Sequence, residues 1–312
     1  MPLHPTAEMM IQVLNDTGLT FTADTTPEDR RAAMIAVTTN PAFPKHPVHD
    51  VADRTIPGPA GPIPVRVYRP SAQAGLPALL WFHGGGWVTG NLDTHDQICR
   101  LLCDAVGAVV VSVDYRLAPE AKYPAAADDC MTAYEWALAH ADEVNADPTR
   151  IAIGGDSAGG NLAAVVALCA RHQGLPPPKL QLLVYPVTDY EFDSPAMIDN
   201  AKGYFLELES MRWFYDHYAG SPADFDEWRF SPMRASDVSG VAPAVVITAE
   251  FDPLRDQGEY YGRRLQEAGV PTEVVRAEGL IHGFFGMHAF MPPGQHAWDV
   301  SVRALREALD IS

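Results

Sequence analysis

Residues 155 to 159, Gly155-Asp156-Ser157-Ala158-Gly159, match the pattern G-x-S-x-G. Glycines two positions to either side of a serine let neighbouring backbones approach closely, so the chain can turn sharply at the serine itself. The flanking sequence suits such a turn. Arg150-Ile151-Ala152-Ile153-Gly154 predicts a short buried strand, and Gly160 to Leu168 predicts an Ala/Leu-rich helix. Strand, tight turn and helix is the context in which the serine is strained and its hydroxyl exposed. It then sits at a helix N-terminus, whose dipole favours developing negative charge. The chemistry implied is nucleophilic attack by Ser157 on a carbonyl carbon.

A second motif supports the same chemistry. The apolar run Pro77 to Phe82 predicts a strand, and His83-Gly84-Gly85-Gly86-Trp87 follows it. Glycines expose backbone N–H groups that no side chain shields. The candidate oxyanion donors are Gly84, Gly85 and Gly86, together with the N–H of Ala158 just after the nucleophile. A base and an acid are needed as well. Ala242 to Glu250 predicts a strand with Asp252-Pro253-Leu254 at its end. Pro271 to Arg276 predicts the next strand, and the loop after it carries Gly279-Leu280-Ile281-His282-Gly283-Phe284. Open α/β sheets present functional residues at the carboxyl ends of their strands. Asp252 and His282 therefore complete a Ser-His-Asp set in the chain order Ser157, Asp252, His282. Other acids stand nearby at Asp156, Glu250 and Asp256, and other histidines at His83, His95, His288 and His296. Asp156 adjoins the serine and is poorly placed to reach a base behind it. Glu250 and Asp256 are expected to make loop or helix contacts. His83 is expected to brace the oxyanion loop.

These segments resemble the hormone-sensitive-lipase family of α/β-hydrolases, on the bacterial branch with the G-D-S-A-G elbow. The matching stretches are His83 to Trp87, Asp114-Tyr115-Arg116-Leu117-Ala118-Pro119-Glu120, Gly155 to Asn161, Asp252 to Asp256, and His282-Gly283-Phe284. They cover the chain from about residue 45 onward. The resemblance implies a cytoplasmic serine carboxylesterase acting on short- to medium-chain acyl esters through an acyl-enzyme. It also implies a helical cap and no cofactor or metal. It favours Gly85 and Gly86 over Gly84 as donors. It makes Tyr115 to Glu120 a structural segment, in which Arg116 and Glu120 are expected to pair. Alternatives on the same scaffold are an amide, carbamate or lactone hydrolase, or a ligand receptor without catalysis. A receptor would be expected to lack a member of the Ser-Asp-His set, and all three are present.

Composition fits this reading. The 312 residues suffice for one large α/β domain with a cap, and 47% hydrophobic content is ordinary for a globular chain. Forty acids against 22 Lys and Arg give a formal charge of −18, which argues against nucleic acid or an anionic membrane as partner. The expected partner is a small-molecule ester, with a homodimer left open. Met1 to Thr6 lacks a basic stretch followed by an apolar one, so no secretory signal is expected. The apolar helix Leu162 to Ala170 is far shorter than the ~20 residues of a membrane span. Cys99, Cys103, Cys130 and Cys169 lack metal-site spacing and are expected as small core residues.

The elements that must position the site read as α/β, with a mostly parallel central sheet and helices on both faces. Val48 to Ile56 and Pro64 to Tyr68 predict an antiparallel opening pair, turned at Gly58 to Gly61. Parallel strands follow over Leu79–His83, Ala108–Asp114, Ile151–Gly155, Leu180–Tyr185, Ala244–Ala249 and Thr272–Arg276, with helices between them and a last helix over Ala297–Leu309. Residues 1–45 read as N-terminal cap helices, with Thr26 as an N-cap, Pro27 in the first helical position and a Pro-rich connection at Asn40 to Pro44. The core is expected over 46–189 and 236–312. The segment 190–235 reads as a cap insertion, because about 55 residues between two strands commonly host a lid or binding surface. An acyl pocket needs apolar walls beside the nucleophile. The candidates are Trp87, Tyr185, Phe205, Leu206, Trp213, Phe214, Leu254 and Ile281.

Overall fold

The computed structural model describes residues 2–16, 25–40 and 44–311, with the side chains of 288–290 left out. Of the expected Pro-rich connection, residues 41–43 lie outside the described residues. Successive strand residues face opposite sides of a sheet, and in this chain both sides are apolar. In β3 (Leu76–Phe82) Leu80 and Phe82 enter one core cluster while Leu79 and Trp81 enter the other. In β4 (Val109–Val113) Val109, Val111 and Val113 face the first cluster and Val110 the second. Strands apolar on both faces belong in a parallel sheet covered twice.

The remaining strands are β1 (Asp50–Ile56), β2 (Ile63–Arg69), β5 (Ala146–Asp156), β6 (Gln181–Val184), β7 (Ala244–Phe251) and β8 (Thr272–Ile281). They form one eight-stranded sheet in the order β1-β2-β4-β3-β5-β6-β7-β8. The β1–β2 pair is antiparallel, as the sequence predicts, the β2–β4 pair is antiparallel as well, and the others are parallel. Helices α4 (Ala125–His140), α5 (Ala158–Gln173) and α8 (Arg255–Glu267) supply the first cluster, for example through Cys130, Leu162 and Tyr261. Helices α3 (Asp96–Val106) and α9 (Pro292–Ala308) supply the second, through Leu102, Cys103, Trp298 and Leu305. All four cysteines are free and buried. Each fully buried large apolar side chain contributes about 1.5–3 kcal/mol of transfer free energy.

The N-terminal helices are α1 (Pro5–Asp16) and α2 (Pro27–Thr38). Thr26 caps α2, its hydroxyl accepting the Asp29 N–H at 3.1 Å, with Pro27 in the first turn. Between β6 and β7 lie two more short helices, α6 (Pro195–Asp199) and α7 (Leu208–Tyr218).

One boundary departs from expectation. Gly279, Leu280 and Ile281 are strand, not loop. Pairing slips between Ala249 and Phe251 and resumes with Phe251 opposite Ile281. Gly279 absorbs the slip at φ +73, its N–H held by the Glu250 carboxylate at 2.7 Å. His282 is thereby delivered directly at the end of β8.

Candidate active site

Ser157 sits between the end of β5 and the start of α5, at φ 57 and ψ −117. A serine at positive φ is strained, by about 1–2 kcal/mol. The surroundings hold it there: its N–H donates to Val184 O at 2.8 Å, and its carbonyl accepts the Asn161 N–H at 3.0 Å. The turn closes only because position 159 has no side chain, since a Cβ there would lie 1.8 Å from Phe82 O.

Asp252 follows β7 and His282 follows β8, two and three strands away from β5. His282 Nδ1 lies 2.7 Å from Asp252 Oδ2. Asp252 is fully buried and His282 nearly so. The second carboxylate oxygen of Asp252 accepts the Leu254 N–H at 2.9 Å, which fixes its rotamer. The Tyr185 ring packs 4.5 Å from the imidazole. Glu250 holds Gly279, while Asp256 accepts the Ala196 N–H at 2.8 Å and pairs with Arg255. His296 is exposed on α9, and the side chain of His288 lies outside the described ones.

The glycine loop departs from the end of β3, beside β5. The Gly84 N–H is engaged: it lies 3.1 Å from Asp156 Oδ1 and 3.2 Å from His95 Nε2. This corrects the expectation that Gly84 is a donor to substrate. The N–H groups of Gly85, Gly86 and Ala158 have no acceptor among the described residues. Gly85 and Gly86 take φ of 118 and 59, which aims successive N–H groups away from an extended path. Asp156 is buried. Burial opposes its charge, yet His95 beside it holds the carboxyl below the usual range. His83 braces the loop: its Nδ1 lies 2.9 Å from Gly84 O, its ring stacks on Tyr115 at 4.2 Å, and Tyr115 Oη donates to His83 O at 2.6 Å. Burial pulls its pKa down to about 3, so it stays neutral.

The expected Arg116–Glu120 pair is absent. Arg116 instead grips Asp129 of α4, Nε to Oδ2 and Nη2 to Oδ1 both at 2.8 Å. Glu120 pairs with Arg31 of α2.

The pocket candidates separate. Trp87 is fully buried, stacked on Tyr218 at 4.4 Å and packed against Phe230, so it is core rather than wall. Leu254 and Ile281 are likewise fully buried, in opposite core clusters. Tyr185 supports His282. Phe205, at φ 73, lies against Gly283, where a Cβ would meet its ring at 3.5 Å. Phe214 lies against Gly86, and Trp213 stays half-buried beside it. The segment between β6 and β7 thus places one aromatic on the His282 loop and another on the glycine loop. Among the described residues no group of three His, Cys, Asp or Glu side chains is placed to hold a metal ion, and no helix is long and apolar enough to cross a membrane.

Comparison with known proteins bears on the same residues. Residues 79–286 match a family model described as alpha/beta hydrolase fold. The chain is 44% identical over 295 residues to the carboxylic ester hydrolase LipN of Mycobacterium tuberculosis, covering 91% of this chain and 77% of LipN. It is 41% identical over 252 residues to an ethyl acetate hydrolase of Pseudomonas putida, covering 79% of each. A solved thermostable esterase from Pseudomonas putida ECU1011 superposes with a TM-score of 0.94 at 36% identity, over 100% of this chain and 99% of its own.

Proposed function

The chain belongs to the α/β-hydrolase family, in its hormone-sensitive-lipase type, and on that premise we propose that it is a serine carboxylesterase of short- to medium-chain acyl esters. The observation that carries this reading is the buried His282–Asp252 contact of 2.7 Å, together with a serine held at φ 57 two strands from Asp252. The names of the relatives, a carboxylic ester hydrolase and an ethyl acetate hydrolase, agree with it.

In this mechanism Ser157 Oγ attacks the ester carbonyl while His282 Nε2 takes its proton. Asp252 keeps the other ring proton on Nδ1 and stabilises the imidazolium that forms. The N–H groups of Gly85, Gly86 and Ala158 receive the oxyanion, where charge develops in the transition state. His282 then protonates the leaving alkoxide, which departs as the alcohol. Water, deprotonated by His282, attacks the acyl-enzyme and releases the acid. Phe205, Leu206, Trp213 and Phe214 form the apolar walls, supplied by a cap made of residues 1–45 and 190–235 over a core of 46–189 and 236–312.

The test uses a p-nitrophenyl ester and a fluorophosphonate. Wild type hydrolyses the first and gains the mass of one phosphonyl group from the second, on Ser157. Ser157→Ala loses several orders of magnitude in kcat and takes no label. Activity within about tenfold of wild type in Ser157→Ala would remove the nucleophile assignment.

A further inference from the structure

The glycine loop and the nucleophile turn touch at a point that the hydrolytic mechanism leaves without a role. A Cβ on Gly84 would lie 2.4 Å from Asp156 Oδ2 and 2.9 Å from Asp156 O, so the Gly84 backbone meets Asp156 with no atom to spare. The Gly84 N–H donates to Asp156 Oδ1 at 3.1 Å. Behind that carboxylate stands His95, the residue preceding α3. Its Nε2 lies 3.3 Å from Asp156 Oδ1 and 3.4 Å from Oδ2, and its Nδ1 lies 2.9 Å from Thr94 Oγ1. Both side chains are buried or nearly so, so solvent offers little to replace these contacts.

The protons can be counted. Thr94 has one hydroxyl hydrogen and two acceptors within reach, Asn91 O at 2.9 Å and His95 Nδ1. If the hydrogen goes to Nδ1, the neutral ring carries its own proton on Nε2 and donates it to Asp156. If it goes to Asn91, Nδ1–H donates to Thr94. A ring that is also protonated on Nε2 then pairs with Asp156 as an imidazolium. A neutral ring protonated on Nδ1 alone keeps its Nε2 lone pair as an acceptor for the Gly84 N–H, 3.2 Å away, and then holds that peptide directly. The first two states place an N–H on Asp156 and the third binds the Gly84 N–H itself, so each joins the ring to the Gly84 peptide.

We infer that His95 is a positioning residue for oxyanion stabilisation: through Asp156, and through its own contact with the Gly84 N–H, it fixes the Gly84 peptide, and with it the direction in which the Gly85 and Gly86 N–H groups point. This rests on the reading of Ser157 as nucleophile and of those N–H groups as oxyanion donors. Thr94 sets the ring's orientation from the other side. None of these side chains needs to touch substrate.

The experiment compares wild type, His95→Ala, His95→Gln and Thr94→Val. Steady-state hydrolysis of p-nitrophenyl butyrate is measured alongside inhibition by an alkyl trifluoromethyl ketone, whose adduct with a serine carries an oxyanion. Wild type must bind the ketone; if it does not, the serine-hydrolase reading fails before the variants are considered. In His95→Ala kcat falls about 10- to 100-fold, the range that a slightly misplaced group costs. KM stays within about twofold, and ketone affinity falls by the same factor as kcat/KM, because both report the transition state. His95→Gln recovers most of the loss, since its amide N–H can reach the carboxylate. Thr94→Val, which removes the Nδ1 partner together with the hydroxyl's bonds to Asn91, shows the same pattern more weakly and serves in place of His95→Ala should that variant not fold. A kcat within about twofold of wild type, a loss confined to KM, or a lower kcat with ketone affinity intact would overturn the inference.

Discussion

Arg31 of α2 holds both carboxylate oxygens of Glu120, with Nη1 2.8 Å from Oε1 and Nη2 2.7 Å from Oε2. The same guanidinium donates through Nε to Val88 O and through Nη2 to Ala118 O, both at 2.8 Å. One side chain thereby ties the N-terminal helix to the chain just beyond the glycine loop. The ion pair itself counts for little, because Glu120 is 64% exposed and such pairs contribute about 0–1 kcal/mol. The two backbone bonds contribute about 1 kcal/mol each. Arg31→Ala should therefore lower stability by about 2 kcal/mol and Glu120→Gln by less than half of that. Arg31→Lys should resemble Arg31→Ala, since an ammonium cannot span acceptors on two strands of chain. Urea denaturation of the three variants checks this, and equal losses for Arg31→Ala and Glu120→Gln would refute it.

Asp252 gives a second expectation. Its carboxylate faces His282 Nδ1 on one oxygen and the Leu254 N–H on the other. Asp252→Asn preserves the shape but presents an amide N–H to the ring, or forces the ring proton onto Nε2. Either way Ser157 loses its base. On the proposed mechanism kcat should drop by about 10⁴. Thermal stability should change little by comparison, and KM should hold. A drop below about tenfold would mean that His282 does not depend on Asp252 for its tautomer.

Much of the fold is legible in the sequence because period and composition carry it. Strands apolar on both faces, such as Leu79 to Phe82, leave little choice but a covered parallel sheet, and Thr26-Pro27 marks a helix start whatever surrounds it. The end of β8 is less legible. Gly279 reads as a breaker, and only pairing with β7 shows that it sits inside a bulged strand. Side-chain partners are less legible still. Arg116 and Glu120 are close in sequence, but the backbone projects them apart, one to Asp129 on α4 and the other to Arg31 on α2. His95 has no spacing signal. It meets Asp156 because α3 starts where β5 ends, a fact of sheet order rather than of sequence. Its one legible hint is its position shortly after the glycine loop.

The two glycines read as oxyanion donors should fail differently when given a side chain. At Gly85 a Cβ would meet Thr89 O at 2.3 Å, a backbone atom that cannot yield. At Gly86 it would meet the Phe214 ring at 2.1 Å, a side chain that can be removed. Both Gly85→Ala and Gly86→Ala should reduce kcat by about 10²–10³, as loss of one oxyanion donor does. Adding Phe214→Ala should recover part of the loss in Gly86→Ala and none in Gly85→Ala. The recovery stays partial because φ +59 still strains an alanine. Double-mutant kinetics decide the matter. Equal recovery in both backgrounds would show that Phe214 acts on the pocket as a whole and not on Gly86.

Asp114 makes the stability of the fold depend on pH with a definite sign. It lies at the end of β4, and burial, reinforced by the charge of Asp93, pushes its pKa up to about 6. His83 brings no positive charge to offset this. Its Nε2 is 3.9 Å from Asp114 Oδ1, but the ring stays neutral with its pKa near 3. In the unfolded chain the carboxyl titrates near 3.9. Between about pH 4 and pH 6 the native state therefore binds more protons than the unfolded one, and stability falls as pH rises through that window. Above it the native protein carries the penalty of a partly buried carboxylate; below it the penalty is absent. Asp114→Asn imitates the neutral acid at every pH. It should raise the melting temperature at pH 8 and leave it nearly unchanged at pH 4. Melting curves of both proteins at the two pH values give the answer. A gain of equal size at both would place the effect in packing rather than in ionisation, and a loss at pH 8 would mean that the Asp114 charge is stabilised by groups that outweigh its burial.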